Sequence, residues 1–282
     1  MLKVKIPADD PRTEERIRAH YDVERGLAQR LRAAGKQQRR ALYTELYDEM
    51  YRELPDHPQL TGIVSPASRD AQIAKLVARL APLLGPDVTF LEIGPGDCAL
   101  SFALAPHARF VHAVDVSAGA VDTAKQPANF ALHISDGTTM PLPDDSIDLA
   151  FSDQLMEHLH PDDARDQLRE IRRVLVPGGT YLCLTPNRLS GPHDVSKFFS
   201  DVAEGFHIHE YTSNELAGLM RETGFRRVEG AVPLRGRLVA APLAPFVALE
   251  SVLGSFPASM RRTLGRWAPI RAALGVRVFA RK

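Results

Sequence analysis

The sequence has few of the features that mark secreted, membrane-spanning or disulfide-bonded proteins. Its 282 residues include only two cysteines, Cys98 and Cys183, and no C-x-x-C pair. A chain of this size needs no disulfides, and the two cysteines lack metal-ligand spacing, so a reducing compartment is expected. The N-terminus becomes charged before any apolar run of signal-peptide length, and no stretch reaches the roughly 18 apolar residues of a membrane span. We therefore expect a soluble, cytoplasmic protein.

Net charge is also absent, but the charges are unevenly distributed. From Arg226 to the end the chain has eleven Arg or Lys and two Glu, so this tail carries +9 and residues 1–225 carry −9. The asymmetry indicates an anionic substrate, an acidic partner, peripheral membrane contact through the tail, or a solvated arginine-rich face. Nucleic acid is not expected as a partner, because the tail lacks the interleaved aromatic residues on which bases stack.

The order of apolar patterns predicts the fold class. Residues 12–54 space apolar residues three or four apart among many charges, which is typical of helices. Tyr43, Tyr47 and Tyr51 share one stripe there and form either a packing face or a roof over a pocket. From Val88 onward, β-rich runs alternate with helical ones, which predicts an α/β fold with a doubly wound, mostly parallel sheet.

The same pattern divides the chain into four segments. We predict an N-terminal helical arm (1–65), a core (66–233), a helical cap insertion (234–270) and the last strand of the core (271–282). A proline-rich joint at residues 54–66 separates the arm from the core. The stretch after Pro186 is longer than most connections in compact domains, so it is a candidate lid or substrate loop.

A glycine turn follows the first predicted strand, in the segment FLEIGPGDCALSF (90–102). Gly94, Gly96 and Ala99 fit the spacing G-x-G-x-x-G/A, and Asp115 ends the next strand about twenty residues later. Such glycines let backbone amides approach an adenosine cofactor, and the carboxylate can accept both ribose hydroxyl protons. The turn alone therefore fits both NAD and S-adenosylmethionine (SAM).

Two carboxylates favour SAM at this turn. Glu92 stands two residues before the first glycine and Asp97 starts the helix. Negative groups there disfavour a pyrophosphate, which prefers an unopposed helix N-terminus, and suit a cationic sulfonium and ammonium.

Four segments in order resemble the motifs of class I SAM-dependent methyltransferases, in the branch that includes ubiquinone and menaquinone biosynthesis enzymes. They are LEIGPGDC, AVDVS, SDGTTMPLPDDSIDLAFSDQLMEHL and LREIRRVLVPGGTYLCLTPN. The resemblance covers about residues 70–230 and implies SAM as cofactor and a Rossmann-like sheet of seven strands, the last antiparallel. Cys98 departs from the pattern, since many relatives have a third glycine there.

The resemblance also implies which residues bind SAM. They are Glu92, Gly94, Gly96, Asp97, Asp115, Val116, Asp136, Gly137, Ser152 and Gln154. Asp115 would hold the ribose hydroxyls and Asp136 would accept from the adenine amine. Ser152 and Gln154 would border the transferring methyl.

His158 is the predicted catalytic residue. It follows the fourth strand in QLMEHLH, near the expected methyl position, and an imidazole can remove a proton near neutral pH. In many relatives a histidine at this site faces the acceptor, so the resemblance implies a general base. The alternative is a capping or buried histidine without a catalytic role.

A second group of polar residues follows the fifth strand. We predict substrate contacts, with lower weight, from His193, His207, His209, Glu210 and Tyr211. No metal is expected, because the spacing in this segment matches no established zinc motif. In a strand-like stretch, His207 and His209 would lie on one face.

Together these features predict a SAM-dependent O-methyltransferase. GPHDVSKF (191–198) is similar to a segment of quinone-pathway and of glycan or natural-product O-methyltransferases, which implies a small-molecule acceptor such as a sugar, a phenol or a quinone-like intermediate. The alternatives are an NAD-linked oxidoreductase that uses the same glycine turn, and a non-catalytic SAM-binding partner protein.

Overall fold

The computed structural model describes residues 2–7, 10–55, 66–118, 121 and 123–282; most of the predicted joint at residues 54–66 lies outside them. Within these described residues, eight strands form one sheet in the order β3-β2-β1-β4-β5-β8-β6-β7. Their bounds are β1 Thr89–Ile93, β2 Phe110–Asp115, β3 Phe130–Ile134, β4 Ile147–Asp153, β5 Leu175–Thr185, β6 Arg227–Leu234, β7 Arg237–Ala241 and β8 Val276–Arg281.

Helices precede, connect and follow the strands. Their bounds are α1 Glu14–Ala33, α2 Lys36–Glu53, α3 Pro66–Leu80, α4 Ala99–Leu104, α5 Pro161–Val174, α6 Ser213–Glu222, α7 Ala244–Gly254, α8 Ala258–Arg266 and α9 Ala268–Leu274. Helix α6 begins with a capping box, in which Thr212 is the N-cap and Glu215 accepts a hydrogen bond from the Thr212 backbone N–H. No helix in the described part of the chain is both long and apolar enough to span a membrane.

Strands β1 to β5 are parallel, and β8 returns antiparallel beside β5. Strand β1 is buried along its whole length, as expected for a parallel strand covered on both faces. Successive side chains of β1 point to opposite faces, so Phe90 packs with apolar residues of α3 and α4, whereas Leu91 and Ile93 pack with those of α2 and α5. The predicted doubly wound α/β fold is confirmed.

The predicted count of seven strands was wrong, because the segment expected to be a helical cap begins with a strand. Strand β7 pairs antiparallel with β6 after a two-residue turn at Arg235 and Gly236. Both turn residues have positive φ, 49° and 83°, the combination that two-residue hairpins prefer because it matches strand twist. The helices α7, α8 and α9 then precede the last strand, as predicted.

The arm is fixed to the core by a buried ion pair. The guanidinium of Arg39, from α2, donates from Nε and Nη2 to both carboxylate oxygens of Asp163 in α5, at 2.6 and 2.8 Å. The Tyr43 hydroxyl donates to the same carboxylate at 2.8 Å and accepts from the backbone N–H of His160 at 3.0 Å. Arg39 is 4% exposed and Asp163 is fully buried, so this contact is shielded from water. It sets α2 over the edge of the sheet where β1 to β4 end.

Candidate active site

A cavity of about 550 Å³ lies where the carboxyl ends of β1 to β4 meet. In an open α/β sheet this edge is the expected ligand site, at the point where the strand order reverses beside β1. Seven of the residues predicted to act at the site line the cavity: Gly94, Gly96, Asp115, Val116, Gly137, Gln154 and His158. The loops after four different strands thus contribute to one wall.

The glycine turn has the backbone geometry that the sequence pattern predicts. Gly94 and Gly96 have φ of 69° and 61°, in the region that favours glycine. A Cβ on Gly94 would lie 3.0 Å from Leu155 Cδ1, so a side chain there would be strained and crowded. Cys98 also has a positive φ, 62°, and its thiol is buried. The turn therefore accommodates the non-glycine residue at the position where relatives have a third glycine.

Asp115 joins the glycine turn to the end of β2. Its two carboxylate oxygens accept from the backbone N–H groups of Gly96 and Ser117, each at 3.1 Å. Burial raises the pKa of Asp115, although the hydrogen bonds from these amides oppose the shift. The carboxylate thus lies at the cavity wall with further lone pairs available for donors from a ligand.

Other predicted cofactor residues lie beside the described cavity wall. The buried Glu92 carboxylate accepts from the Ser101 hydroxyl, and Asp97 accepts from the Ala99 amide and pairs with Arg69. Ser152 is fully buried, and its hydroxyl shares a 2.7 Å hydrogen bond with that of Tyr181. Glu92, Asp97 and Ser152 thus form hydrogen bonds or ion pairs with neighbouring residues and are not part of the described cavity wall.

Asp136 has a similar supporting position. Its Oδ1 accepts from the Thr138 and Thr139 amides at 2.9 and 2.8 Å, and its Oδ2 lies 3.5 Å from Arg40 of the arm. Burial opposes ionisation here, but the hydrogen bonds from both threonines lower the pKa of Asp136. The loop that carries Gly137 is thereby held in place.

The arm forms one side of the cavity. Tyr43, Thr44, Tyr47, Asp48 and Tyr51, all on α2, line it. The tyrosine stripe therefore serves both as a packing face and as part of a pocket wall. Tyr43 is packed in the core, and all three tyrosines line the cavity.

Gln167 is a cavity residue that the sequence analysis did not single out. It lies on α5, is 1% exposed, and donates from Nε2 to the Gly137 carbonyl at 2.7 Å. Its Oε1 has no hydrogen-bond partner among the described residues. A buried acceptor left unpaired at a cavity wall is a ready partner for a ligand N–H. Its position midway along a helix gave no sequence signal.

His158 lies in a short 3₁₀ turn after β4 and lines the cavity. Its Nδ1 is 3.0 Å from the Phe206 carbonyl oxygen, which can only accept, so Nδ1 carries the proton and Nε2 keeps its lone pair. The pKa of His158 is lowered to about 3, mainly by burial and to a smaller extent by electrostatic repulsion from the neighbouring His207. The ring is therefore neutral at physiological pH.

The five predicted substrate residues do not belong to the described wall of this cavity. His207 instead stacks edge-on against His158, with ring centroids 5.0 Å apart, and its Nδ1 bonds Glu210 at 2.7 Å. Glu210 also accepts from the His193 amide at 2.7 Å.

The other two residues lie apart from this cluster. The His209 ring packs on Tyr211, 4.6 Å between centroids, so the rings of His207 and His209 have different neighbours. Within this segment the structure has an isolated bridge, between Asn187 and Tyr211, in place of the expected strand-like stretch.

Comparisons with known proteins agree with this geometry. A family model described as "Methyltransferase domain" matches residues 91–183, which include the glycine turn, Asp115 and His158. A Mycobacterium tuberculosis protein named "Probable S-adenosylmethionine-dependent methyltransferase" is 34% identical over 48% of this chain and 47% of its own. These matches place a class I SAM-dependent methyltransferase domain in residues 91–183 of this chain.

Other methyltransferases are similar over comparable stretches. A ubiquinone/menaquinone biosynthesis C-methyltransferase of Rubrivivax gelatinosus is 38% identical over 39% of this chain and 43% of its own. An O-methyltransferase of Aspergillus sclerotiorum is 29% identical over 54% and 59%. The chain thus spans less than two thirds of the length of these relatives.

A solved structure shows that the methyltransferase fold extends over most of the chain. Phosphoethanolamine N-methyltransferase 1 of Haemonchus contortus superposes with a TM-score of 0.54 at 17% identity, over 88% of this chain and 50% of its own. The predicted family and its cofactor, SAM, are confirmed, and the eighth strand is a local difference from the predicted sheet.

The buried Glu92 gives this protein a specific pH dependence of stability. Burial raises the pKa of Glu92 from 4.5 to about 7, despite the hydrogen bond from Ser101. The folded state therefore binds a proton that the unfolded state has lost, so the free energy of unfolding falls as pH rises through this window. We expect Glu92→Gln to lack that decline.

Urea unfolding of both proteins at pH values across the window tests this prediction. As pH rises, the free energy of unfolding of the wild type should fall relative to that of Glu92→Gln. Parallel pH profiles for the two proteins would contradict it.

Proposed function

We propose that this chain transfers the methyl group of SAM to an oxygen of a small molecule, such as a phenol, a quinone-like intermediate or a sugar. The observation that carries the proposal is a single cavity lined both by the glycine turn with Asp115 and by the neutral His158. The activity of the whole protein and its acceptor belong to this proposal, because the relatives match over only part of their length.

In the proposed complex, the glycine turn and Asp115 bind the cofactor's sugar. The Asp115 carboxylate accepts from the ribose hydroxyls, and Gly96 allows the close backbone approach. Val116 and Gly137 pack against the adenine, where the unpaired Oε1 of Gln167 can accept from the exocyclic amine. Asp136 and Ser152 then support the loops rather than touch the cofactor.

The rest of the cavity receives the acceptor. Its wall there includes the aromatic rings of the arm and Leu155, Met140 and Leu159, which suit a flat or partly apolar molecule. The proposed arm, residues 1–65, is thus the roof that excludes water from the reaction. The loop that follows β5 packs on α1 through Val195 and Phe198, which lie against Ile17 and Tyr21.

The proposed reaction is an in-line displacement. Bound SAM would supply an electrophilic methyl group: as a lone pair of the acceptor oxygen bonds to the methyl carbon, the electrons of the carbon–sulfur bond would return to sulfur and S-adenosylhomocysteine (SAH) would leave. The hydroxyl proton must leave as the bond forms. The sequence-based prediction gives this proton to His158 as general base. With a pKa of about 3, the ring is free to accept it but is weakly basic.

Methyl transfer with carbon-13-labelled SAM tests the proposal. The protein is incubated with phenol, catechol, quinol and sugar acceptors, and carbon-13 NMR then distinguishes methyl groups on oxygen, carbon and nitrogen. We expect label on oxygen, and a kcat about 10²–10⁴-fold lower for His158→Ala with unchanged SAH affinity. His107→Ala is the matched control, because His107 is exposed and lies before β2, away from the carboxyl ends of the strands.

Other outcomes favour other functions. Carbon-13 label on a carbon of the acceptor would replace the proposed O-methylation with C-methylation, the activity named for the Rubrivivax relative. Full turnover by His158→Ala would remove that residue from the reaction. NADH binding without SAH binding would replace the proposal with the oxidoreductase alternative.

A further inference from the structure

Three side chains beside the cavity bring potential metal-ligand atoms close to each other. One ligand atom from each of Glu157, His158 and His207 lies within 4.8 Å of the other two. Two of these residues are adjacent after β4, and the third comes from the loop after β5. We propose that Glu157, His158 and His207 form a binding site for one divalent transition-metal ion of the zinc class.

The histidine tautomers suit this role. The Nδ1 of His158 donates to the Phe206 carbonyl at 3.0 Å, and the Nδ1 of His207 donates to Glu210 at 2.7 Å. Each Nε2 is therefore the atom left to bind an ion. Histidine ligands of metals almost always have this arrangement, in which the other ring nitrogen is held by a carbonyl or a carboxylate.

Glu157 supplies independent evidence for a ligand. Its side chain is fully buried, and its Oε1 has no hydrogen-bond partner among the residues that the structure describes. The other oxygen, Oε2, accepts from the Thr185 hydroxyl at 2.8 Å, which orients the carboxylate. An unpaired buried carboxylate oxygen is costly, and a bound cation removes that cost.

The types of ligand atom determine which kind of metal ion the site favours. Two imidazole nitrogens and one carboxylate oxygen suit zinc and its first-row neighbours, whereas magnesium and calcium prefer oxygen ligands. Three protein ligands leave at least one coordination position open, as in catalytic zinc sites. Around an ion with bonds of about 2.0–2.1 Å, ligand atoms lie about 3.3 Å apart, so these side chains close in by up to about 1.5 Å.

The site has a use in the proposed reaction, and this step rests on the proposed function. His158 belongs both to the cluster and to the cavity wall, so a bound ion lies next to the acceptor. Its positive charge lowers the pKa of an acceptor hydroxyl, whose proton passes to solvent before the oxygen attacks the methyl carbon. His158 then acts as a metal ligand, and the reaction does not require this weakly basic ring to accept the proton.

Cobalt binding tests the site without any methyl-transfer assay. Protein without a polyhistidine tag is stripped with a chelator and titrated with Co²⁺ at mildly alkaline pH, while visible absorption reports coordination by protein ligands. We expect the wild-type protein to bind one equivalent of Co²⁺, and Zn²⁺ but not Mg²⁺ to displace it.

Variants of the ligands should bind Co²⁺ more weakly. The affinity for Co²⁺ should fall at least about 100-fold in Glu157→Gln and His207→Ala, and about 10–100-fold in Thr185→Val, which loses only the hydroxyl that orients Glu157. His160→Ala is the control and should bind normally, since His160 is outside the cluster.

SAH titration of every variant keeps the outcomes separate. A variant that binds SAH is folded, so its loss of Co²⁺ binding is assigned to the ligand set; Glu157→Gln, which preserves side-chain shape, covers the case in which His207→Ala fails to fold. Wild-type protein that binds SAH but not Co²⁺ would overturn the metal site and leave the methyltransferase proposal intact. Co²⁺ binding that persists in Glu157→Gln and His207→Ala would overturn it as well. Protein that binds Co²⁺ but not SAH would support the site and contradict the proposed function.

Discussion

Asp115→Ala is expected to lower the affinity for SAM and SAH at least about 100-fold, because each hydrogen bond to a charged group contributes about 1.5–3 kcal/mol and the ribose offers two donors. The carboxylate also accepts from the Gly96 and Ser117 amides, so its loss loosens the turn that carries the cofactor. Isothermal titration with SAH measures the effect. Asp115→Asn keeps one acceptor oxygen and the side-chain shape, and should lose less affinity than Asp115→Ala.

Asp87→Ala is the matched control for this prediction. Asp87 is exposed in the turn before β1, at the end of the sheet opposite to the cavity, so its removal should leave SAH affinity unchanged. Wild-type affinity in a folded Asp115→Ala protein would show that the ribose lies elsewhere.

Arg39→Ala is expected to lower the free energy of unfolding by about 3–5 kcal/mol, because it leaves the Asp163 carboxylate buried without its counter-ion. Asp163 is fully buried and accepts both guanidinium hydrogen bonds, so water cannot replace them without opening the contact between the arm and α5. SAH affinity should fall too, since Tyr43 and Tyr47 approach the cavity only while α2 is docked. Urea unfolding followed by circular dichroism measures the stability change.

The neighbouring Arg40 provides the control. Its side chain is 39% exposed and lies 3.5 Å from Asp136, so Arg40→Ala should cost no more than about 1 kcal/mol. Equal losses for Arg39→Ala and Arg40→Ala would contradict the assignment of arm docking to the buried pair.

Local sequence signals predicted most of the fold. The parallel strands could be predicted because each is a short apolar run between turn residues, and the glycine turn because its spacing is fixed by backbone geometry. Strand β7 was missed because Arg235, the first turn residue, is not a residue type that favours positive φ, and the pairing of β6 with β7 is apparent only in the structure. That omission led to the wrong strand count.

Contacts between distant segments could not be predicted in the same way. Arg39 and Asp163 are 124 positions apart, and no local pattern pairs them. His207 was expected on a strand face with His209, but the segment follows an irregular path that sets its ring against His158. Two of the three ligands proposed for the metal ion, Glu157 and His158, are adjacent in the sequence, yet the third becomes apparent only after folding.

Cocrystallisation with SAH is the most direct test of the account, whose central claim is that the cavity after β1 to β4 binds the cofactor of a methyltransferase. We predict electron density for SAH in that cavity, with both ribose hydroxyls within hydrogen-bond distance of Asp115 and the adenine beside Val116 and Gln167. Density for SAH at another place, or an adenosine oriented with its ribose away from Asp115, would contradict the claim.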